Sequence, residues 1–192
     1  MRSFVAIGIG ADVRRRLAEA HEQLKSANAS VRWVPAENLH LTVKFLGDIA
    51  EERAPDVLDA LGRAAEGIQP FVMSVRGLGA FPDLRRPRVV WAGVGEGGER
   101  AGELARAVER ELEPLGFEPE KRGFSAHITL GRVKSFVGIS ALCGLIAEQA
   151  DAEFGSVQVD EMALMRSDLR PSGAVYSVLG GAPLGAEPGV RA

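Results

Sequence analysis

Cysteine is almost absent from this chain of 192 residues: Cys143 stands alone. A single thiol excludes an intramolecular disulfide and a thiolate cage for zinc. Histidine is nearly as sparse, with His21, His40 and His127 the full set, so a histidine-rich metal site is poorly supplied. The sequence calls for neither a metal nor a cofactor. No apolar run approaches the roughly 20 residues of a membrane span, and the stretch from Phe4 to Ile9 is too short for the core of a signal peptide. A cytoplasmic protein with no membrane contact is the expectation. Net charge is -3, which excludes the broad grip on duplex nucleic acid that comes from neutralising many phosphates. A short or terminal nucleic-acid substrate stays within reach. Threonine occurs only twice, as Thr42 and Thr129.

What remains is an ordinary globular composition, 46% hydrophobic and 26% charged, and a chain long enough to bury roughly 70% of its unfolded surface. The compact apolar run Phe4 to Ile9 suits a buried strand. A helix follows over 13–25, with Val13, Leu17, Ala20 and Leu24 inward, Asp12 as N-cap and His21 on an exposed face. Residues 31–34 form a short strand ahead of Pro35, and 38–46 alternate like a strand with one face in the core. Leu39, Leu41, Val43 and Phe45 take the core face; His40, Thr42 and Lys44 take the other. A helix over 55–65 and a strand over 71–75 complete the first half. The second half repeats the plan with a strand over 89–94, a helix over 99–115, the strand from His127 and a helix over 139–150. Strands over 157–164 and 176–179 close it.

This pattern predicts an α+β fold of two pseudo-symmetric lobes, each a mainly antiparallel sheet with helices on its outer face, and an active-site cleft between them. One bilobal domain would cover 1–180, with repeats of about 1–85 and 86–180, and a flexible tail would cover 181–192.

Both threonines sit two positions after a histidine, in His40-Leu41-Thr42-Val43 and His127-Ile128-Thr129-Leu130, 87 residues apart. Random placement gives that double coincidence on the order of 10⁻⁴ of the time, so it outweighs an ordinary short-motif match. In a strand, residues two apart share a face, so each motif presents an imidazole beside a hydroxyl. Two imidazoles can take and give a proton near neutral pH, and two hydroxyls can donate to non-bridging phosphate oxygens. The pocket suits a phosphate ester.

Longer stretches carry a resemblance. They are Arg32-Trp33-Val34, the run Glu37 to Gly47, Gly77-Leu78-Gly79-Ala80-Phe81-Pro82, Arg86 to Trp91, Gly116-Phe117, Phe124 and the run His127 to Val133. In these the chain resembles the 2H phosphoesterase superfamily, and within it the bacterial RNA 2',3'-cyclic phosphodiesterases once described as 2'-5' RNA ligases. Ala126 departs from the pattern where relatives often have proline.

The resemblance implies hydrolysis of RNA ends or short oligoribonucleotides bearing a 2',3'-cyclic phosphate to 2'-phosphates, with the 3' oxygen leaving, and weak reverse joining through a 2'-5' bond. It implies His40 and His127 as the acid-base pair and Thr42 and Thr129 as phosphate ligands. We take His40 as proton donor and His127 as proton acceptor, although the sequence leaves the swapped order open. Arg132 is the further phosphate-ligand candidate: strict alternation puts it on the wrong face, and a bulge at Gly131 would turn it inward. A solvent-facing Arg132 is the alternative.

A monomer is expected. The rival functions are a non-catalytic RNA-end or nucleotide binding module and a phosphodiesterase for a small cyclic nucleotide. Trp33, Phe45 and Phe124 are stacking candidates for which a core role is the simpler reading. Tyr176 receives no role.

Overall fold

A computed structural model describes residues 1–171 and 173–185. The strands are β1 (Arg2–Ile7), β2 (Val31–Trp33), β3 (Leu41–Asp48), β4 (Phe71–Phe81), β5 (Val89–Val94), β6 (His127–Val133), β7 (Glu153–Val159), β8 (Glu161–Arg170) and β9 (Gly173–Pro183). The helices are α1 (Gly10–Lys25), α2 (Ala54–Ala65), α3 (Gly98–Leu112) and α4 (Ile139–Glu148). All strand pairings are antiparallel, in the order β7-β4-β5-β6-β3-β1-β8-β9, with β2 added beside β6. The fold is α+β with two similar lobes, as expected. No helix among the described residues is long and apolar enough to cross a membrane.

Counted outward from the centre, one lobe runs β3, β1, β8, β9 and the other runs β6, β5, β4, β7. Each half of the chain therefore keeps its first strand and its motif strand together and sends two strands across: β2 and β4 join the second lobe, and β8 and β9 the first. The helices cross as well. α1 packs on β7 and α4, whereas α3 packs on β3 and α2. Each lobe thus draws on both halves of the chain.

The crossing also explains a difference from the expected elements. The alternating run 157–164 is two strands, because β7 pairs with β4 in one lobe and β8 with β1 in the other, with Asp160 between them. Strands at nearly opposite ends of the sheet order are joined by one residue, so the sheet must curl.

Helix faces follow the apolar spacing. Val13, Leu17, Ala20 and Leu24 of α1 are buried, and so are Leu104, Ala105, Val108 and Leu112 of α3. Two details of α1 depart from expectation. The helix begins at Gly10 without a side-chain cap, which places Asp12 in the first turn, where its charge still favours the helix N-terminus. His21 is only 3% exposed, not on an outer face.

The tail is expected from 181, but residues 181–184 are held in the fold. β9 forms a hairpin with β8 through Pro183, Ala182 and Leu184 are buried, and the Leu184 N–H donates to the Asp160 carbonyl at 2.7 Å. Backbone pairing holds this glycine-rich segment without large side chains. The remainder of that tail, 186–192, lies outside the described residues.

Candidate active site

The two lobes meet where the two motifs meet. β3 and β6 share one register pair, Leu41 opposite Ile128, the residues between histidine and threonine in each motif. Both are fully buried, so they face the core and their neighbours on either side face the cleft. The antiparallel pairing at that junction sets His40 on the side of Thr129 and Thr42 on the side of His127. All four predicted residues are brought onto one face.

Each imidazole is oriented by the backbone two residues before it. The Nδ1–H of His40 donates to the Asn38 carbonyl at 2.7 Å, and that of His127 to the Ser125 carbonyl at 2.7 Å. A carbonyl only accepts, so this fixes the tautomer and leaves Nε2 as the working nitrogen on both rings. Asn38 is itself held, its side-chain amide donating to the Ala174 carbonyl at 2.7 Å.

The rings differ in their surroundings. His40 stacks on Phe4 with centroids 4.8 Å apart and meets the edge of Tyr176 at 5.5 Å. Its Nε2 lies 3.0 Å from the Thr42 hydroxyl, which donates to the neutral ring. Burial lowers the His40 pKa from its ordinary value, partly offset by the bond to Asn38. His127 meets Phe81 edge-on at 5.0 Å.

A β-bulge follows each threonine. On β3 the register skips Val43, pairing Ala6 with Thr42 and Val5 with Lys44; on β6 it skips Leu130, pairing Trp91 with Thr129 and Val90 with Gly131. An extra residue reverses the alternation beyond it. Arg132 therefore leaves the core face and turns toward the cleft, with the bulge one residue earlier than the glycine that was expected to host it. Its charge acts on Tyr176: burial pushes the phenol up, while the Arg132 and Arg2 guanidiniums pull it down. Gly131 is backed by Trp33, where a Cβ would come within 2.7 Å of the indole.

The equivalent bulge on β3 overturns two expectations. Lys44 does not share the His40 face. It is 3% exposed, and its ammonium donates to Glu109 of α3 at 2.7 Å and to the Glu118 carbonyl at 2.9 Å. Phe45, assigned to the core by alternation, is 57% exposed on the cleft side, with its ring 6.2 Å from Phe4. The buried His21 supports the second bulge. Its Nε2–H and the Val34 N–H both donate to the Leu130 carbonyl, each at 2.8 Å. Desolvation holds the His21 pKa below its ordinary value.

Trp33 is half-buried, edge-on to His21, and Phe124 lies against Gly102 of α3. Among the described residues no cluster of three or more His, Cys, Asp or Glu side chains could hold a metal ion.

A family model, that of the LigT-like phosphoesterases, matches residues 7–91 and 93–176. The chain belongs to this family. Each of the two matched segments carries one His-x-Thr strand.

LigT-like relatives span nearly the full chain. The RNA 2',3'-cyclic phosphodiesterase of Methanothermobacter thermautotrophicus is 39% identical over 92% of this chain and 95% of its own. That of Aeropyrum pernix is 41% identical over 85% and 92%. Among solved structures, a Thermus thermophilus protein superimposes with a TM-score of 0.78 at 34% identity, covering 96% of this chain and 98% of that one. E. coli LigT complexed with 3'-AMP superimposes with a TM-score of 0.77 at 26% identity, over 95% and 97%.

Tyr176, Phe4 and Phe81 were not found from sequence as site residues. Tyr176 is the only tyrosine of the chain, a signal with no motif around it.

Proposed function

We propose that this LigT-like phosphoesterase hydrolyses RNA 2',3'-cyclic phosphate ends to 2'-phosphates, with two histidines exchanging protons and no metal. The observation that carries the reading is the Leu41–Ile128 junction, which sets each histidine opposite the other motif's threonine on one cleft face. The relatives named RNA 2',3'-cyclic phosphodiesterase support the same substrate class.

In this mechanism Nε2 of His127 takes a proton from water as its oxygen attacks phosphorus. The bond from phosphorus to O3' breaks, and Nε2 of protonated His40 gives O3' its proton, leaving the 2'-phosphate. Thr42 and Thr129 donate to the non-bridging oxygens, and Arg132 neutralises the charge they gather. The bound phosphate anion favours the charged form of His40 against its desolvation. With a ribose 5' hydroxyl attacking phosphorus in place of water, the same transfers run forward, break the bond to O3' and join ends weakly through a 2'-5' bond. The whole described chain acts as one bilobal unit.

One observation favours the opposite order. Burial lowers the His40 pKa in the free protein, which suits a base more than an acid.

The test is incubation, in excess EDTA, of an oligoribonucleotide ending in a 2',3'-cyclic phosphate with the wild type, His40→Ala and His127→Ala, with 2'- and 3'-phosphate products separated by chromatography. A 2'-phosphate formed by the wild type alone is expected. Tight binding of the cyclic end without turnover would replace the enzyme with a binding module, and a 3'-phosphate would reverse the leaving oxygen. Comparing a mononucleotide 2',3'-cyclic phosphate with the oligonucleotide separates the small-substrate alternative.

A further inference from the structure

The catalytic face continues past His127 into a pocket of ≈ 310 Å³ that no step above uses. Its walls include Trp91, Phe81, Gly93 and His127. Trp91 and Thr129 are cross-strand partners, as are Gly93 and His127, and Gly79 and Trp91. Opposed residues point to the same side of a sheet, so the indole, both glycines, Thr129 and His127 share the cleft face.

Two glycines make room for the indole. A Cβ on Gly79 would come 2.3 Å from the six-membered ring, and one on Gly93 would come 3.3 Å from its edge. The ring therefore lies over bare strand backbone. Phe81 tilts against it with centroids 5.1 Å apart, and the same phenyl ring meets His127 edge-on at 5.0 Å. The aromatic surface runs continuously from Trp91 to the catalytic imidazole.

Core filling does not explain a tryptophan here. The buried Nε1–H has no hydrogen-bond partner among the described residues, and a buried donor left unpaired costs stability. A phenylalanine would fill the position without that cost. What tryptophan adds is a wider π-face at the edge of a pocket whose size falls at the lower end of small-molecule sites, about 300 to 1,000 Å³.

We propose that Trp91, backed by Gly79 and Gly93 and buttressed by Phe81, is the platform of a nucleobase-stacking subsite beside His127. It takes the flat face of a base, from either the nucleotide carrying the cyclic phosphate or a second nucleoside next to it. The proposal rests on the reading of the cleft as a site for RNA ends. Stacking is tolerant of base identity, because every base has a π-face, so purine and pyrimidine ends are both accommodated.

The test uses Trp33→Phe, which leaves Trp91 as the one tryptophan, and titrates its fluorescence with adenosine 2',3'-cyclic phosphate and, separately, with adenosine. Saturable quenching is expected. Quenching by the cyclic nucleotide alone assigns the subsite to the base of the substrate nucleotide; quenching by adenosine as well assigns it to an independent nucleoside.

In parallel, Trp91→Leu raises KM for a dinucleotide ending in a cyclic phosphate on the order of tenfold or more, with a smaller change in kcat, and Trp91→Phe restores part of the loss. No quenching by either probe, in a sample that hydrolyses the cyclic dinucleotide, overturns the subsite and leaves the proposed function standing. Loss of quenching and hydrolysis together in Trp33→Phe, with hydrolysis absent from the wild type too, overturns both. An unchanged KM in a folded Trp91→Leu also overturns the subsite.

Discussion

On β3 the residue three places beyond the threonine is Phe45, and on β6 it is Arg132; equivalent bulges turn both onto the cleft face. One place earlier stand Lys44, buried in an ion pair with Glu109, and Gly131, covered by Trp33. The backbones of the two copies agree while the side chains at matching positions do opposite things. One copy supplies an aromatic to the cleft and anchors a helix, whereas the other supplies a positive charge and leaves space for an indole. The imidazoles diverge in the same way, His40 under Phe4 and Tyr176, His127 at the edge of the Trp91 pocket. The repeated scaffold places two imidazoles in matching positions, and their surroundings are unequal.

The largest effect tests whether the two halves form one machine. His40→Ala and His127→Ala should each lower kcat about 10² to 10⁴-fold, and the double variant should fall little further, because groups that act together are not additive. Independent, multiplying losses in steady-state assays would break the unit apart.

Lys44→Met comes next, on the structural side of the comparison. It strands Glu109 beside an apolar core, and the expected loss is about 3 kcal/mol in urea unfolding. The partial exposure of Glu109 keeps the figure at the lower end for buried pairs, and a Lys44→Met, Glu109→Met double variant should recover part of it. A loss no larger than that of an exposed pair would place Lys44 outside the anchoring role.

Arg132→Ala removes charge-assisted bonds from the phosphate and should cost about 10 to 100-fold in kcat/KM. Phe45→Leu, at the matching position, should leave the charge-dependent part of that parameter alone. Equal effects of the two substitutions would erase the distinction between the copies.

The smallest effect is on stability against pH. His21 and His40 have lowered pKa values in the fold, so below about pH 6.5 the unfolded chain binds more protons than the native one. Stability is therefore full above that pH and falls as the pH drops toward the lowered native values, by up to about 1.4 kcal/mol per pH unit for each group. His21→Asn should flatten that slope in unfolding midpoints measured between pH 7 and 5; an unchanged slope would show that His21 is not held neutral.

Much of the cleft face was legible. Two threonines, each two residues after a histidine, sufficed to put four side chains on one face, because strand alternation over three residues needs no tertiary information. Alternation failed one step further on. No glycine marks the bulge after Val43, so Lys44 and Phe45 were assigned to each other's faces, whereas Gly131 gave a reason to expect a bulge on β6. Pairing across the lobes was also hidden: the run 157–164 reads as one strand, and only its two partners, β4 and β1, reveal the break at Asp160. His21 read as exposed because its partner, the carbonyl freed by the second bulge, is 109 residues away. Trp91 and Tyr176 join the site through ring contacts that leave no local pattern.

The division of duty between the two histidines is tested most directly by a cyclic end in which sulfur replaces the 3' oxygen, since a thiolate leaves without a proton. The account predicts that this substrate restores most of the rate lost in His40→Ala and little of that lost in His127→Ala. Restoration in His127→Ala instead would reverse the roles, and equal deficits in both variants would contradict any division between them.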